Sequence, residues 1–573
     1  MEWHGITGTD AVRTLLLRGV GVLVGVAVFR FLYRGYVERT RVRSLKAQGI
    51  PILPHSIWFG HLPIFGDFRA EHPPDVNIYM FHLWLAANFK KYFPELDKLP
   101  PVIYVDLWPV ADSLVSVIDP AAAAQFTVAK SLPKHPVATE FMYPLTGNVD
   151  LVSSEGELWK KWRSRFSPGF SPRNLIALLP ELIEEAQVFV DGLKSLAGKN
   201  GEWGPVFQLE EKTTNLTFDI IVRASVDLRL HEQSRPTPSP LKKALMGQIE
   251  LMGQIELMGM MSNAARVLPF GRMPWHNAAI KKNNRVMRDV LIPQIENKLQ
   301  SDFRTDLKKK TIVDLAIKNI NKDDPSASKE KPDAEFVDRL IANLKAFIFA
   351  GHDTTSSTIC YMVKLLQDHP DCLEKFRAEH DAVLGTNPDD AIPTLTASPH
   401  LLYSLPYTLA VIKETLRLYP LAATVRTAES APGFCLTVPG STLRYPMDGF
   451  GPWVGVPTVQ RNPDYWPRPH EFLPERWLVA EGDPLYAAKE AWVPFSLGPR
   501  NCIGLELAMI ELRLVAVLIA RTFDIEEAWS EWDKKQGPKA TPTHLVNGQR
   551  LYGIGNGTVH PKDGMPVHVR LRA

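Results

Sequence analysis

One long apolar run places the strongest constraint on how this chain folds: VDRLIANLKAFIFAGHDTTSSTICYMVKLLQDHP, Val337–Pro370. The run is compatible with a single helix and is too apolar for a helix that lies on the surface, so it predicts a long buried helix. The proline near its end, in His369-Pro370, stops that helix. The chain has 573 residues, of which 45% are hydrophobic, and it can bury the large core that such a helix needs.

Shorter patterns on either side of this run predict the fold class. Residues 102–118 read as two β-branched runs around a turn, which predicts a hairpin, and Met565–Leu571 predicts a final strand. Helical patterns dominate from about residue 155 to residue 420, and another helix is predicted over Ile503–Phe523. Because helices and strands are segregated more than they alternate, we expect an α+β fold that is mainly α.

Charge and cysteine content exclude several classes of protein. The formal net charge of +2 is too balanced for a nucleic-acid-binding protein, so no nucleic acid is expected as a partner. Cysteines are too few for a disulfide framework in a chain of this length, and none forms a CxxC pair. They indicate a reducing compartment, and they are Cys360, Cys372, Cys435 and Cys502.

The N-terminal segment LLLRGVGVLVGVAVFRFLY, Leu15–Tyr33, has about the length needed to cross a bilayer. Basic residues follow it and few precede it, which favours a retained single-pass anchor with the rest of the chain in the cytosol. The alternative is a buried or interfacial helix. We expect an anchor with a lumenal tip over residues 1–34, a basic and Pro-containing linker over residues 35–62, and a globular body over residues 63–573.

The segment AGHDTT, Ala350–Thr355, interrupts the long helical run with poor helix formers. We expect the hydroxyl of Thr354 to bond the carbonyl of Ala350, four residues back, and to loosen the helix there. An acid, Asp353, lies beside that hydroxyl, so the segment predicts a groove with a proton relay. The alternative is a polar turn on a solvated helix face.

Two further segments each place charged residues on one helix face. In KETLRLYP, Glu414 and Arg417 stand at i and i+3, and FLPERW adds Arg476 as a third member of a buried triad. The alternative for the first pair is an ordinary surface ion pair. In GELWKKWRSRF, Trp159 and Arg163 stand at i and i+4 and can bind an acidic group from one side. The alternative is a basic amphipathic helix with a core tryptophan.

The segment FSLGPRNCIG, Phe495–Gly504, holds a lone cysteine at the start of a helix, where free N–H groups favour an anion. Gly498 and Gly504 permit tight turns and close approach to a flat ligand, Arg500 supplies a charge, and Phe495 can pack against the sulfur. A disulfide, a zinc ion, a nucleophilic role and a haem iron are the candidate roles for Cys502. No histidine lies in this segment to act as a base for a nucleophile or as a zinc ligand.

In order and spacing, these segments closely resemble the cytochrome P-450 superfamily of haem-thiolate monooxygenases. The cysteine segment matches FxxGxRxCxG at every fixed position, and AGxDTT, ExxR, PERW and WxxxR support the match. The resemblance extends roughly from Pro51 to the C-terminus. It implies a P-450 fold with a long central helix, a helix-rich lobe and a smaller β-rich lobe, and it makes residues 63–573 the catalytic domain.

The resemblance also implies a role for each site residue. Cys502 would be the proximal thiolate ligand of the iron of heme b, and Asp353 and Thr354 would be the acid–alcohol pair that delivers protons to dioxygen. Matches or candidates for holding the haem propionates are Trp159, Arg163, Arg426 and Arg500. Matches for the structural triad are Glu414, Arg417 and Arg476.

The implied activity is the insertion of one oxygen atom from dioxygen into a hydrophobic small molecule, by hydroxylation, epoxidation or further oxidation. The resemblance to fungal enzymes places this in secondary metabolite biosynthesis. Segments expected at the substrate are mostly apolar and small, and they are Val137–Val149, Phe347 and Ala422–Val425.

Implied partners are NADPH-cytochrome P-450 reductase and cytochrome b5, because the chain has no flavin module of its own. Lys160, Lys161 and Arg165 form a basic patch that could dock an acidic partner, or simply a solvated helix face. The N-terminal anchor implies contact with membrane lipid and a place in the endoplasmic reticulum membrane.

Two other functions are compatible with a haem-thiolate chain. One is an isomerase or dehydratase that needs no external electrons, and the other is a non-catalytic haem-binding protein at the membrane. Relatives with isomerase or dehydratase activity often lack the acid–alcohol pair. Its presence as Asp353-Thr354 therefore favours the monooxygenase.

Overall fold

The computed structural model describes residues 8–260, 274–300, 310–318, 333–486, 489–539, 543–555 and 558–572. Within them, α-helices account for most of the regular structure and strands are short. The helices are α1 (Gly8–Ala47), α2 (Leu62–Glu71), α3 (Met80–Ala87), α4 (Phe89–Tyr92), α5 (Pro120–Ala124), α6 (Pro136–Thr146), α7 (Gly156–Phe166), α8 (Pro172–Leu196), α9 (Leu209–Val226), α10 (Pro240–Met260), α11 (Pro274–Gln300), α12 (Ile312–Lys318), α13 (Ala334–Asp368), α14 (Pro370–Leu384), α15 (Ala391–Ala397), α16 (Pro406–Leu418), α17 (Val456–Val459), α18 (Leu505–Thr522) and α19 (Trp529–Gln536).

The strands form small sheets. They are β1 (Val102–Val105), β2 (Leu114–Val117), β3 (Phe207–Gln208), β4 (Cys435–Thr437), β5 (Arg444–Pro446), β6 (Gly451–Val454), β7 (Phe523–Glu527), β8 (Gly553–Ile554), β9 (His560–Pro561) and β10 (Pro566–Leu571). One sheet has the order β1-β2-β6 and another β3-β10-β7, while β4 pairs with β5 and β8 with β9. The hairpin predicted over residues 102–118 is confirmed as the antiparallel pair β1–β2, and the predicted final strand is β10.

Helix α13 confirms the long buried helix that the sequence predicts. It begins at an N-cap, where the Asp333 carboxylate accepts a hydrogen bond of 2.7 Å from the Phe336 N–H, and it ends before His369-Pro370. It packs against α6, α9, α16 and α18. Gly351 allows α9 to approach closely, because a Cβ at that position would lie 2.9 Å from the Ile221 side chain.

Buried apolar residues form a large cluster around α13 and the helices that pack on it, and a smaller cluster under β1, β2, β4, β5 and β6. This gives a helix-rich lobe and a smaller β-rich lobe around one central helix. The α+β, mainly α fold expected from the sequence is confirmed.

By length and composition, helix α1 could cross a membrane. Its most apolar stretch is not buried against the rest of the protein. The helix continues past Tyr33 without a break to Ala47, and Arg39, Val42 and Leu45 are buried against the body. Arg39 pairs with the buried Asp106 and donates to the Trp108 carbonyl at 2.7 Å. The first part of the segment expected as a linker, residues 35–47, is thus a helix packed on the body.

Candidate active site

The cysteine loop, Phe495–Gly504, is a tight turn that precedes α18. The Cys502 N–H donates to the Phe495 carbonyl at 2.9 Å, and the Asn501 N–H donates to the Gly498 carbonyl at 3.1 Å. Gly498 has a φ of +77°, and a Cβ there would lie 2.6 Å from the Thr127 carbonyl oxygen. Only glycine fits this position, since both the backbone angle and the space exclude a side chain.

Cys502 lies at the N-terminus of α18 and is exposed to solvent. Surrounding protein groups nevertheless shift the pKa of its thiol. Burial raises the pKa of its thiol, while N–H groups of Gly504 and Leu505 and the charge of Arg163 act in the opposite direction. These are the donors expected at a helix N-terminus. At Gly504 a Cβ would meet only the Cys502 sulfur, at 3.8 Å, so the protein itself does not require glycine there.

Three of the residues predicted to bind an acidic group lie around this loop. Arg163, on α7, donates to the backbone and side-chain oxygens of Asn501 at 2.9 and 2.8 Å. Arg500 donates to Glu155 at 2.7 Å and lies over the ring of Trp159, 4.5 Å from its centroid. The loop and α7 are thereby joined through these side chains.

Arg426 lies at the same site and is fully buried. It donates to the Leu132 carbonyl at 3.1 Å, but its Nε and Nη2 atoms have no hydrogen-bond partner among the described residues. Burial lowers the pKa of Arg426 to about 10. Because an unpaired buried donor destabilises a protein, this geometry favours an anion beside the guanidinium.

Lys134 is a further cation at this site that the sequence did not indicate. Its Nζ donates to the Thr424 hydroxyl at 2.8 Å, and an isolated β-bridge joins Lys134 to Arg426. Burial, together with the charges of Arg426 and Arg500, lowers the pKa of Lys134 to about 7. Such mutual repulsion is relieved when a group with two negative charges binds between the cations.

The central segment of α13 brings the acid and the alcohol to different surroundings. The Thr354 hydroxyl donates to the Ala350 carbonyl at 3.0 Å, as expected, yet the segment remains α-helical and shows no loosening. Ala350 is exposed although it lies in the middle of a buried helix. The Asp353 carboxylate is buried and turns toward β9, where it meets His560 and Thr558.

The structure brings together the three members of the predicted triad, all of them buried. Arg417 donates to both carboxylate oxygens of Glu414 at 2.9 and 2.8 Å, and Arg476 donates to Glu414 at 3.1 Å. The sequence did not indicate two tryptophans that complete the network: Trp477 donates to Glu414 at 3.0 Å, and both guanidinium groups lie over the ring of Trp466. Every oxygen of the carboxylate is therefore paired with a buried donor.

Arg165 does not lie where the sequence predicted, and Phe347 packs in the helical core. Arg165 is not part of an exposed basic patch, because it is buried and lies over the rings of Trp162 and Phe336 at 5.1 and 5.4 Å. Phe347 packs edge-on against Phe166 and Phe170, with ring centroids 4.8 and 5.2 Å apart, and so contributes to the helical core.

A cleft of about 1190 Å³ lies elsewhere on the body, lined in part by Tyr79, Tyr361, Tyr419 and Tyr552. None of the residues predicted for the site lines it.

Comparison with known proteins places this geometry in a family. The cytochrome P450 family model matches residues 71–549. The chain is 35% identical over 570 residues to cytochrome P450 monooxygenase polC of Polytolypa hystricis, with 98% of both chains covered. It is 32% identical over 499 residues to cytochrome P450 monooxygenase acrF of Aspergillus aculeatus, covering 83% of this chain and 95% of that protein.

Among solved structures, the heme domain of a cytochrome P450DA mutant has the same fold. Its TM-score is 0.67 at 22% sequence identity, with 91% of this chain and 98% of that chain covered. The matched residues include the cysteine loop, the centre of α13 and the triad. The chain therefore belongs to the cytochrome P450 monooxygenase family.

Proposed function

We propose that Cys502 is the axial thiolate ligand of heme b in this chain, and that the enzyme inserts one atom of dioxygen into a hydrophobic small molecule. The single observation that carries the proposal is the exposed Cys502 at the N-terminus of α18, in a site where Lys134 senses the charges of both Cys502 and a buried arginine, Arg426, with two unpaired donors. Members of the family bind heme through a cysteine thiolate. When bound, heme supplies the redox chemistry that activates dioxygen.

The cations around the cysteine loop fit the two carboxylates of a heme. Arg426 offers two free donors, and Lys134 and Arg500 add positive charge close to it. Trp159 and Arg163, on α7, complete the set of donors that would hold the propionates. Gly498 keeps the loop close to Thr127, and Phe495 holds the Cys502 N–H through its carbonyl.

Asp353 and Thr354 hold and move the protons in this proposal. The Thr354 hydroxyl is bonded to Ala350 at a point where α13 is exposed, so it can pass its proton toward a bound group and recover one. Asp353 is an acid one residue away and supplies the exchange with solvent. Glu414, Arg417 and Arg476 keep a structural role, since they fix α16 against the segment that leads to the cysteine loop.

The function is tested by combining the protein with NADPH-cytochrome P-450 reductase and a panel of hydrophobic small molecules. We expect substrate-dependent consumption of NADPH and dioxygen with product that contains one added oxygen. Conversion without NADPH would instead support the isomerase or dehydratase, and heme binding with no turnover of any compound would support the non-catalytic protein. Cytochrome b5 is proposed as a second electron donor, and its addition serves as a separate arm of the assay.

Replacing Thr354 with alanine should leave heme bound but decrease the product formed per NADPH. A positioned proton donor contributes about 10²-fold or more, so electrons that no longer lead to product should appear as hydrogen peroxide. The measurement compares product, peroxide and NADPH in one assay. Thr358→Ala is the matched control, because that hydroxyl makes the same bond to a carbonyl four residues back, at 2.8 Å, one turn further along α13. Unchanged coupling in Thr354→Ala would remove Thr354 from the relay.

We further propose that residues 1–34 anchor the enzyme in the endoplasmic reticulum membrane, with the body in the cytosol. Large apolar side chains along this part of α1 are exposed, including Leu15, Leu23 and Leu32 at 69, 70 and 61%. Water is a poor surrounding for such a surface, whereas a bilayer accommodates it.

The fungal relatives polC and acrF support a substrate from fungal secondary metabolism.

Deleting residues 2–34 should move the protein from the membrane fraction to the soluble fraction. The apolar half of α1 is lost, while Arg39, Val42 and Leu45 still hold the remaining helix to the body. The measurement is the distribution of protein between pellet and supernatant after an alkaline wash. Leu545→Arg, a charge introduced at an exposed leucine of the body, is the control and should stay in the pellet. A deleted protein that remains in the pellet would contradict the anchor.

A further inference from the structure

Three side chains from distant parts of the chain meet at the acid of the acid–alcohol pair. They are Glu210 in the first turn of α9, Asp353 in α13 and His560 at the start of β9, and we call them the His560 cluster. More than 130 positions separate any two of them in the sequence, and no sequence motif predicts that they are neighbours. Their arrangement is a property of the folded chain.

The imidazole of His560 lies between the two carboxylates. Its Nδ1 atom is 2.8 Å from Glu210 Oε1, and its Nε2 atom is 3.3 Å from Asp353 Oδ1. Thr558 donates its hydroxyl hydrogen to the second oxygen of Asp353, and Ser357 donates to Glu210 at 3.1 Å. The side chains of Asp353, Glu210 and His560 are 9, 15 and 30% exposed, so solvent reaches the cluster from the side of the histidine.

The charges of the cluster follow from this geometry. Burial alone would lower the pKa of His560, but hydrogen bonds and charge attraction from Asp353 and Glu210 raise it to about 10. Burial would raise the pKa of Asp353, but the bond to His560 and its charge hold that pKa below its ordinary value. At neutral pH His560 is therefore protonated and Asp353 is ionised, and Glu210 lies on the other side of the imidazole.

Other polar groups face the cluster from the elements packed on it. On α13, burial lowers the pKa of His352 and raises the pKa values of Cys360 and Tyr361, so these groups are neutral. The Tyr361 hydroxyl lies 3.4 Å from the His560 carbonyl, a long contact.

We propose that His560 is a positioning residue for proton delivery, which holds the Asp353 carboxylate ionised and turned toward β9, and that Glu210 in turn holds His560. This inference rests on the proposed role of Asp353 and Thr354. It adds residues that the family motif does not contain: the charge state of the acid on α13 is set by a histidine from the C-terminal hairpin β8–β9.

The proton balance of this step is simple. When the contact between Asp353 and His560 opens, the carboxylate accepts a proton from solvent and gives it to the Thr354 hydroxyl, which releases its own proton toward the bound group. Asp353 is then a carboxylate again and returns to the imidazolium. No electron is transferred, and the net charge of Asp353, Thr354 and His560 is the same before and after the cycle.

A purely structural role for His560 would be to tie the hairpin β8–β9 to α9 and α13. The two roles differ in what the loss of the imidazolium does to Asp353. A positioning role requires that the pKa of Asp353 rises in a His560→Gln variant, because the buried carboxyl loses its neighbouring positive charge. An opposite charge at this distance lowers a carboxyl pKa by about 1–3 units.

The first measurement is an infrared titration of Asp353, taken as the difference between each protein and its Asp353→Asn counterpart. We expect the band of the protonated carboxyl to emerge about 1–3 pH units higher in His560→Gln than in the native chain. In the same variant, product per NADPH should fall on the acid side of the pH profile. The pH at which it falls should be higher than in the native chain by a similar amount. Glu210→Gln should shift the infrared titration and the pH profile of product per NADPH in the same direction by a smaller amount, since the His560–Asp353 contact remains.

His568→Gln is the matched control. His568 lies on β10, also near two carboxylates, Glu526 and Glu531 at 3.7 and 3.8 Å, but it makes no contact with Asp353. This variant should leave both the infrared titration and the coupling profile unchanged.

Stability provides a readout that does not depend on turnover. A histidine whose pKa is raised from 6.5 to about 10 on folding contributes stability that is complete below pH 6.5 and is lost as the pH rises through 10. The melting temperature of His560→Gln should therefore be lowest relative to the native chain at or below pH 6.5. The difference should shrink steadily as the pH approaches 10.

Each outcome decides the proposal. A raised Asp353 pKa with a shifted coupling profile supports it. An unshifted titration or an unshifted coupling profile, even with the expected change in stability, assigns His560 a structural role and overturns it. Failure of both His560→Gln and Glu210→Gln to fold also assigns the structural role. If Asp353→Asn and Thr354→Ala themselves leave coupling unchanged, the acid–alcohol relay fails, and the infrared titration still reports whether His560 controls Asp353.

Discussion

Replacing Cys502 with alanine is expected to abolish the strongly red-shifted Soret band of the reduced, carbon monoxide-bound protein. This band requires a thiolate on the iron, and an alanine supplies no ligand. The loss should be complete, because the other cysteines cannot substitute: Cys360 and Cys372 are buried, and Cys435 lies on β4. Reductase-driven product formation should fall to background in the same preparation.

Cys435→Ala is the matched control for that experiment. Cys435 is partly exposed, and its sulfur lies 3.6 Å from the Gly433 carbonyl, so its loss should change neither spectrum nor activity. Retention of the native spectrum in Cys502→Ala would refute the ligand assignment. Heme that binds with an unshifted Soret band in the native chain would mean that the thiol is protonated or replaced.

Replacing Glu414 with glutamine is expected to destabilise the fold by about 3–5 kcal/mol. Glutamine keeps the shape of the side chain but removes the charge that balances Arg417 and Arg476, both fully buried. Its amide nitrogen also replaces an oxygen that accepts hydrogen bonds from these donors or from Trp477. Urea unfolding followed by tryptophan fluorescence measures the loss, and the heme content of the purified variant should fall with it.

Glu475→Gln tests whether burial, and not charge alone, sets the size of this effect. Glu475 belongs to the same PERW element but pairs with Lys375 at 2.7 Å near the surface, where both side chains are at least a third exposed. An exposed pair contributes about 0–1 kcal/mol. Equal losses in the two variants would show that the buried network around Glu414 has no special weight.

Helical periodicity was sufficient to predict some of the site. It placed Glu414 and Arg417 on one face of α16, and it placed Thr354 one turn after the Ala350 carbonyl that the hydroxyl binds. It also predicted α13 nearly to its ends. Each of these relations joins residues within one helix, where local geometry determines which side chains are neighbours.

Relations between distant segments could not be predicted from the residues alone. Lys134 reaches Arg426 through a single β-bridge, and His560 reaches Asp353 because the hairpin β8–β9 lies against α13. Neither pair leaves a pattern in the sequence. Arg476 beside Glu414 is the exception, because the PERW segment was already assigned to the triad.

Arg165 shows a different reason for error. Its spacing from Lys161 suggests a shared basic face, but a guanidinium can lie over aromatic rings and be buried, as Arg165 does over Trp162 and Phe336. Polarity alone did not distinguish a solvated cation from one packed on aromatic rings. The aromatic neighbours determine whether Arg165 is buried, and one of them, Phe336, is on another helix.

Because α1 is one unbroken helix, its residue count fixes the rotation of the body about the helix axis relative to the apolar part. Buried contacts at Arg39 and Val42 fix the body to one side of the same rod that carries the apolar half. Since an α-helix turns about 100° and rises about 1.5 Å per residue, one residue added between Tyr33 and Arg39 would swing the body around the axis by more than a quarter turn while scarcely changing its height. The number of residues between the apolar part of α1 and Arg39 therefore sets how far the body is rotated about the helix axis.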